Sequence, residues 1–144
     1  MSNTIPETHL SLLTEPVYVT VVTMLPDGQP QATVVWCSHE DGKVAINTAV
    51  GRKKDKNMVA NPKVTIMAIN PENPYHWLEV RGTVASRITE DDGPEALEHI
   101  NALAKAYAGK DAYFGGVTPP EQRDREVRVK YKIEPTKVTA FGSA

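Results

Sequence analysis

The chain has 144 residues, and its 16 Lys and Arg against 18 Asp and Glu give a formal net charge of −2. That length predicts one domain over residues 1–144, and the balanced charge excludes the basic footprint of a nucleic-acid or anionic-membrane binder. Hydrophobic residues at 40% and charged ones at 24% place it among globular chains, and a lone cysteine, Cys37, excludes an internal disulfide or a multi-cysteine metal site.

No apolar run approaches the roughly 18 residues of a membrane span, and residues 1–13 lack a basic segment followed by an apolar core. A cytoplasmic protein with no membrane or nucleic-acid partner is expected.

In chain order, Thr4 to Glu7 spells T-x-x-E, a capping-box pattern, ahead of Leu10, Leu12 and Leu13, which predicts a short leading helix closed by Pro16. Val17 to Leu25 is rich in Val and Thr, and Pro26-Asp27-Gly28 turns it into a second β-rich run, Gln31 to Ser38. Asp41-Gly42 then leads into Lys43 to Thr48, predicting a three-strand meander.

Gly51 to Ala60 reads as a short basic helix stopped by Asn61-Pro62. Val64 to Ile69 and Trp77 to Ile88 read as strands, with Gly82 a bulge or a point of close approach. Leu97, Ile100, Ala104 and Tyr107 repeat at helical spacing between the candidate caps Thr89 or Asp92 and a stop at Gly109. Alternation from Val127 to Ile133 predicts a last strand that continues past Pro135 to Phe141, with its Arg and Lys residues on a solvated outer face, from which Arg125 or Arg128 is a candidate to help bind an anionic ligand. Strands joined mostly as hairpins favour a mainly β fold, a small six-stranded barrel with peripheral helices, over a doubly wound sheet.

Gly51-Arg52-Lys53-Lys54-Asp55-Lys56-Asn57 concentrates positive charge in an otherwise slightly acidic chain. A helix opening there turns free backbone N–H groups and its positive dipole end toward any anion that Arg52 and Lys54 reach. Gly51 permits close approach, and Asn47 and Thr48 at the end of the preceding strand add neutral donors. The alternative is a solvated basic helix.

His9, His39, His76 and His99 show no metal-ligand spacing and read as surface or turn residues, with His76 beside Trp77 the one to watch. Cys37 at a strand end reads as packing, and Glu79 with Arg81 as an ion pair. No nucleophile elbow is present. An anion clamp without a catalytic constellation points to a bound cofactor that carries out redox chemistry.

The order of Pro26-Asp27-Gly28-Gln29-Pro30-Gln31, Val34-Val35-Trp36, Asn47 through Met58, Asn61-Pro62-Lys63-Val64, Asn73-Pro74-Tyr75, Glu79-Val80-Arg81-Gly82 and Tyr107-Ala108-Gly109-Lys110-Asp111 resembles the flavin/deazaflavin oxidoreductase superfamily. These are the split β-barrels related to pyridoxamine 5′-phosphate oxidase, and the nearer likeness is to the branch that uses coenzyme F420. The resemblance implies a homodimer with cofactor sites at the subunit interface. It implies Arg52 and Lys54 on the cofactor phosphate, with Asn47, Thr48, Gly51 and Asn57 around it, and Gln31, Thr33 and Val35 toward the deazaflavin ring. Trp77 would come from the neighbouring subunit. The implied reaction is hydride transfer from reduced F420 to an electron-poor double bond of a small organic substrate. An FMN-dependent oxidoreductase of the same fold and a non-catalytic cofactor-binding or sequestering protein are the alternatives.

Overall fold

The structure, a computed structural model, describes residues 3–144. Its strands are β1 (Val19–Met24), β2 (Pro30–Val35), β3 (Cys37–Glu40), β4 (Lys43–Ala49), β5 (Lys63–Asn70), β6 (Asn73–Thr89) and β7 (Arg128–Phe141). The helices are α1 (Glu7–Thr14), α2 (Lys53–Ala60) and α3 (Glu95–Ala108). All seven strands form one antiparallel sheet in the order β2-β1-β5-β6-β7-β4-β3. The split-barrel architecture is as expected, with seven strands rather than six.

The extra strand comes from the predicted run Gln31 to Ser38, which breaks at Trp36. β2 stays in the hairpin with β1, while β3 pairs with β4 at the opposite edge of the sheet. The expected meander therefore does not form. Seven strands laid flat would hold their edges roughly 29 Å apart, yet Val35 and Cys37 flank one residue and lie within about 7 Å of each other. The sheet must curl until its edges meet at Trp36.

Inside the curl, Val19, Val21, Ile46, Ile66, Leu78, Val80, Tyr131 and Ile133 form one buried cluster with Leu12 and Leu13 of α1. Strand alternation drives this in β1 and β5, where each buried residue is followed by a more exposed one, whereas β4 and the first half of β7 are buried on both faces. The leading helix begins later than the capping-box pattern implies, because Pro6 with its fixed φ takes the N-cap position without a side-chain cap. α3 buries Ala96, His99, Ile100, Leu103 and Ala104. Its apolar stripe is thus rotated from the predicted one, leaving Leu97 half-buried, and Gly109 ends the helix in the left-handed conformation.

β7 is one continuous strand, but its basic residues are not a solvated face. Arg128 and Lys130 are buried, with Lys130 Nζ held at 2.9 Å by both Glu40 and Glu95. Three of the four histidines are also buried: His9 pairs with the carbonyl of Phe141, His76 with that of Thr8, and His99 sits on the buried face of α3. No helix among the described residues is long and apolar enough to cross a membrane.

Two details fix the parts that matter for the site. The β6–β7 register shifts at Gly82, where a Cβ would sit 2.5 Å from the carbonyl oxygen of Glu134 and 2.8 Å from Ile133 Cγ2. α2 is pinned by buried Asp55, whose carboxylate accepts from Arg87 Nε at 3.0 Å, Arg87 Nη2 at 3.1 Å, the Gly51 amide at 2.9 Å and the Tyr131 hydroxyl. Burial pushes the Asp55 carboxyl up, but these hydrogen bonds and the Arg87 charge outweigh it and hold the group below the ordinary carboxylate range.

Gly82→Ala should cost about 2 kcal/mol in urea unfolding, because a backbone carbonyl cannot move aside as a flexible side chain does. The contribution of Asp55 is fully present above its unfolded pKa of about 3.9 and is lost as pH falls through the lower folded value. Asp55→Asn should therefore destabilise the protein by about 2 kcal/mol at neutral pH and flatten the decline in stability below about pH 4. Thermal melts across an acid series measure both.

Candidate functional site

β3 starts at Cys37 opposite Ile46, whereas β4 runs on to Ala49. Asn47, Thr48 and Ala49 thus pair with β7 but not with β3, and their open side faces the end of β2. A cavity of about 250 Å³ occupies this gap. Val34, Val35 and Trp36 line it from the β2 side, Asn47 and Thr48 from β4, and Arg52, Lys54 and Arg128 supply charge. Tyr18, Ile100, Leu103, Tyr113 and Val117 complete an apolar and aromatic wall.

The aromatic side is ordered by contacts outside the cavity. Trp36 stacks on Tyr107 at 5.3 Å between ring centroids and meets Tyr113 edge-on. The Tyr107 hydroxyl donates to the Val17 carbonyl at 2.7 Å and accepts from the Cys37 amide at 3.1 Å. α3 therefore ties the segment leading into β1 to the start of β3 at the joint. Cys37 beside it is packing, as its position suggested: burial pushes the thiol up to about 12, so no thiolate forms at neutral pH.

The charged side holds three cations and one buried carboxylate. Arg128 Nη1 lies 2.7 Å from Glu126, Arg52 Nη2 lies 3.2 Å from the other oxygen of the same group, and Lys54 has no hydrogen bond or ion pair among the described residues. Burial raises the Glu126 carboxyl, but hydrogen bonds from Gln122 and Arg128 and the two arginine charges hold it low, so it stays ionised. Three positive charges less one negative leave the cluster at +2. Burial, then the nearby Arg52 and Arg128 charges, push the Lys54 ammonium down.

Thr48 reinforces this. Its hydroxyl is buried without a hydrogen-bond partner, an arrangement that costs free energy unless something in the cavity supplies one. Asn47 is the opposite case. Its Nδ2 donates to the Ala96 carbonyl at 2.9 Å and to His99 Nδ1 at 3.1 Å, and its Oδ1 accepts from Arg128 Nε at 2.9 Å. It offers no spare donor and instead holds Arg128 in place.

Of the residues singled out in the sequence, Val35, Asn47, Thr48, Arg52 and Lys54 come together on the cavity, and Gln31, Thr33, Gly51, Asn57 and Trp77 do not. Asn57 Nδ2 donates to Thr23 at 3.0 Å and to Gln31 at 3.1 Å, so both site candidates are spent tying α2 to β1 and β2. The Gly51 amide is taken by Asp55, and its φ of +89° serves the turn into α2. Thr33 has a buried, unpartnered hydroxyl on the same strand face as Val35. Trp77 stacks on Phe141 at 5.4 Å, away from the cavity.

Sequence reading gave Arg128 only as a candidate helper on a solvated strand and missed Tyr18 and Tyr113 as cavity walls. The Arg128 position follows from its pairing opposite Ala49, a register that no local pattern encodes.

Residues 5–141 match the family model described as pyridoxamine 5′-phosphate oxidase. A solved structure titled F420 reductase is 30% identical, with 94% of this chain and 98% of that chain covered and a TM-score of 0.76. A pyridoxine/pyridoxamine 5′-phosphate oxidase from Cupriavidus pinatubonensis is 26% identical over 139 residues, covering 90% of this chain but 62% of that protein, so the chain spans less than two thirds of this relative's length. A conserved hypothetical protein from Mycobacterium tuberculosis, 18% identical with a TM-score of 0.69 over 98% of this chain and 88% of its own, shares the fold. With its curled sheet and a family match over nearly its whole length, the chain belongs to the pyridoxamine 5′-phosphate oxidase family.

Proposed function

We propose that this protein is an oxidoreductase that binds coenzyme F420 and reduces an electron-poor double bond of a small organic substrate. The observation that carries the reading is the +2 cluster of Arg52, Lys54 and Arg128, with Lys54 unpaired, at one end of a cavity whose other walls are aromatic and aliphatic. A tricyclic redox cofactor with an anionic arm has that same division. The unpartnered Thr48 hydroxyl and the uncompensated Lys54 charge are the unmet demands such an arm satisfies. The likeness to the F420 reductase at 30% identity favours deazaflavin over FMN.

Lys54, Arg52 and Arg128 hold the phosphate by charge-assisted hydrogen bonds, and Thr48 donates its hydroxyl beside them. Val35, Trp36 and Tyr113 bound the ring and exclude water from the reacting face. The cofactor, when bound in reduced form, supplies the hydride. The chain's contribution is then orientation and desolvation.

A second copy of the chain completes the site. The cavity rim includes Tyr18 and Val34, which are 62% and 67% exposed. It is continuous with an outward sheet face where Ile69, Trp77 and Phe141 stand in register across β5, β6 and β7. Ile69 at 45% and Phe141 at 51% exposure make this an apolar face that a two-fold related copy covers with the same residues. Trp77 then reaches the cavity of its partner.

Arg52→Ala combined with Lys54→Ala should weaken F420 binding at least about tenfold, read by quenching or polarisation of the cofactor's fluorescence. FMN bound more tightly than F420 by the unaltered protein would replace deazaflavin with flavin in this reading, and no binding of either at micromolar concentration would reject it. Ile69→Glu should convert a dimer to a monomer in sedimentation velocity and lower F420 affinity in parallel. A variant that stays dimeric, or a monomer with unaltered affinity, would remove the second copy from the site.

A further inference from the structure

We propose that His99 is a positioning residue for the anion site, acting through Asn47 to aim the guanidinium of Arg128. This inference rests on the reading of the cavity as an anion site and concerns a residue that does not itself line it.

The chain of contacts crosses four elements. Arg128 of β7 donates from Nε to Asn47 Oδ1 at 2.9 Å, Asn47 of β4 donates from Nδ2 to His99 Nδ1 at 3.1 Å, and His99 Nε2 lies 2.9 Å from Ser38 Oγ of β3. Ser38 Oγ in turn donates to Glu40 Oε2 at 3.5 Å. The orientation of the Asn47 amide follows from its neighbours. A guanidinium only donates, so it faces Oδ1, and the Ala96 carbonyl only accepts, so it faces Nδ2.

With both ends fixed, the second Nδ2 hydrogen points at His99 Nδ1, which must be unprotonated to receive it. The neutral ring then carries its proton on Nε2 and donates to Ser38. Protonation at Nδ1 would set two donors against each other, and Asn47 could not relieve this by flipping without opposing its Oδ1 to the Ala96 carbonyl. The surroundings keep the ring neutral. Burial first, then Lys130 and Arg128 of β7, lower its pKa to about 4 against the opposing pull of Glu40 of β3 and Glu95 of α3.

Arg128 matters because it is the buried cation of the cluster. Its side chain is 3% exposed, whereas that of Arg52 is 49% exposed. When His99 no longer anchors Asn47, the Nε partner of this guanidinium is held by the Ala96 contact alone, and the guanidinium can tilt about its Glu126 contact above Tyr113, over whose ring it sits at 4.8 Å. A small tilt moves its fork relative to the phosphate position, where bidentate geometry is demanding.

The test compares His99→Leu, which fills the space without an acceptor, with His99→Asn, whose Oδ1 restores an acceptor near the Nδ1 position. Both are checked for folding by circular dichroism and urea unfolding. Long-range proton–nitrogen spectra of the ligand-free protein should show His99 neutral with its proton on Nε2 at neutral pH. The Arg128 Nε–H resonance should shift in His99→Leu and return toward its original position in His99→Asn. F420 affinity should fall about tenfold in His99→Leu and stay within about threefold in His99→Asn.

A charged or Nδ1-protonated ring at neutral pH overturns the proposal, as does an Arg128 signal indifferent to both substitutions, or equal loss of affinity in two folded variants. If the unaltered protein binds no F420 while the Arg128 signal still follows His99, the cofactor reading fails and the positioning role stands.

Discussion

The one-residue joint at Trp36 is the constraint on which the rest of this molecule depends. It forces the two edge strands of a seven-stranded sheet to meet, and so converts an open sheet into a split barrel. Because β3 spans Cys37–Glu40 and β4 spans Lys43–Ala49, the edges meet at one corner and part beyond it. The cavity is that parting. Its walls are the strand ends on either side and its end cap is the first turn of α2.

The electrostatics follow from that geometry. Cations gathered near a cavity repel one another, and a low-dielectric surrounding strengthens the repulsion. Glu126 relieves part of it by pairing with Arg52 and Arg128 through separate oxygens, which leaves Lys54 as the cavity cation without a partner among the described residues. Deeper in the fold, Lys130 is fully compensated by Glu40 and Glu95, and Arg87 by Asp55. Buried cations with satisfied partners hold the frame together, and the one left unpaired on the cavity is where the proposed cofactor's phosphate would bind.

The same frame assigns polar residues different duties from those their positions alone suggest. Asn57 and Gln31 bond each other across α2 and β2, and Asp55 closes the Gly51 turn while binding Arg87 and Tyr131. These contacts keep the basic turn rigid. Rigidity there matters because a preorganised anion site does not lose side-chain entropy again when the ligand arrives.

Local sequence determined the mainly β character, the hairpin at Pro26-Asp27-Gly28, the basic helix stopped by Asn61-Pro62, the close approach at Gly82 and the concentration of charge from Arg52 to Lys56. Each is written in neighbouring residues, as a turn signal, a period or a cap, and needs no knowledge of distant partners. Tertiary structure decided the seventh strand, because continuous β-rich sequence from Gln31 to Ser38 does not reveal that its halves pair at opposite edges. It also decided that Arg128 and Lys130 turn inward, that His99 is buried and that Trp36 and Tyr113 wall the cavity with Lys54. These depend on strand register and on curvature, which are set by packing between segments far apart in the chain and leave no short-range trace.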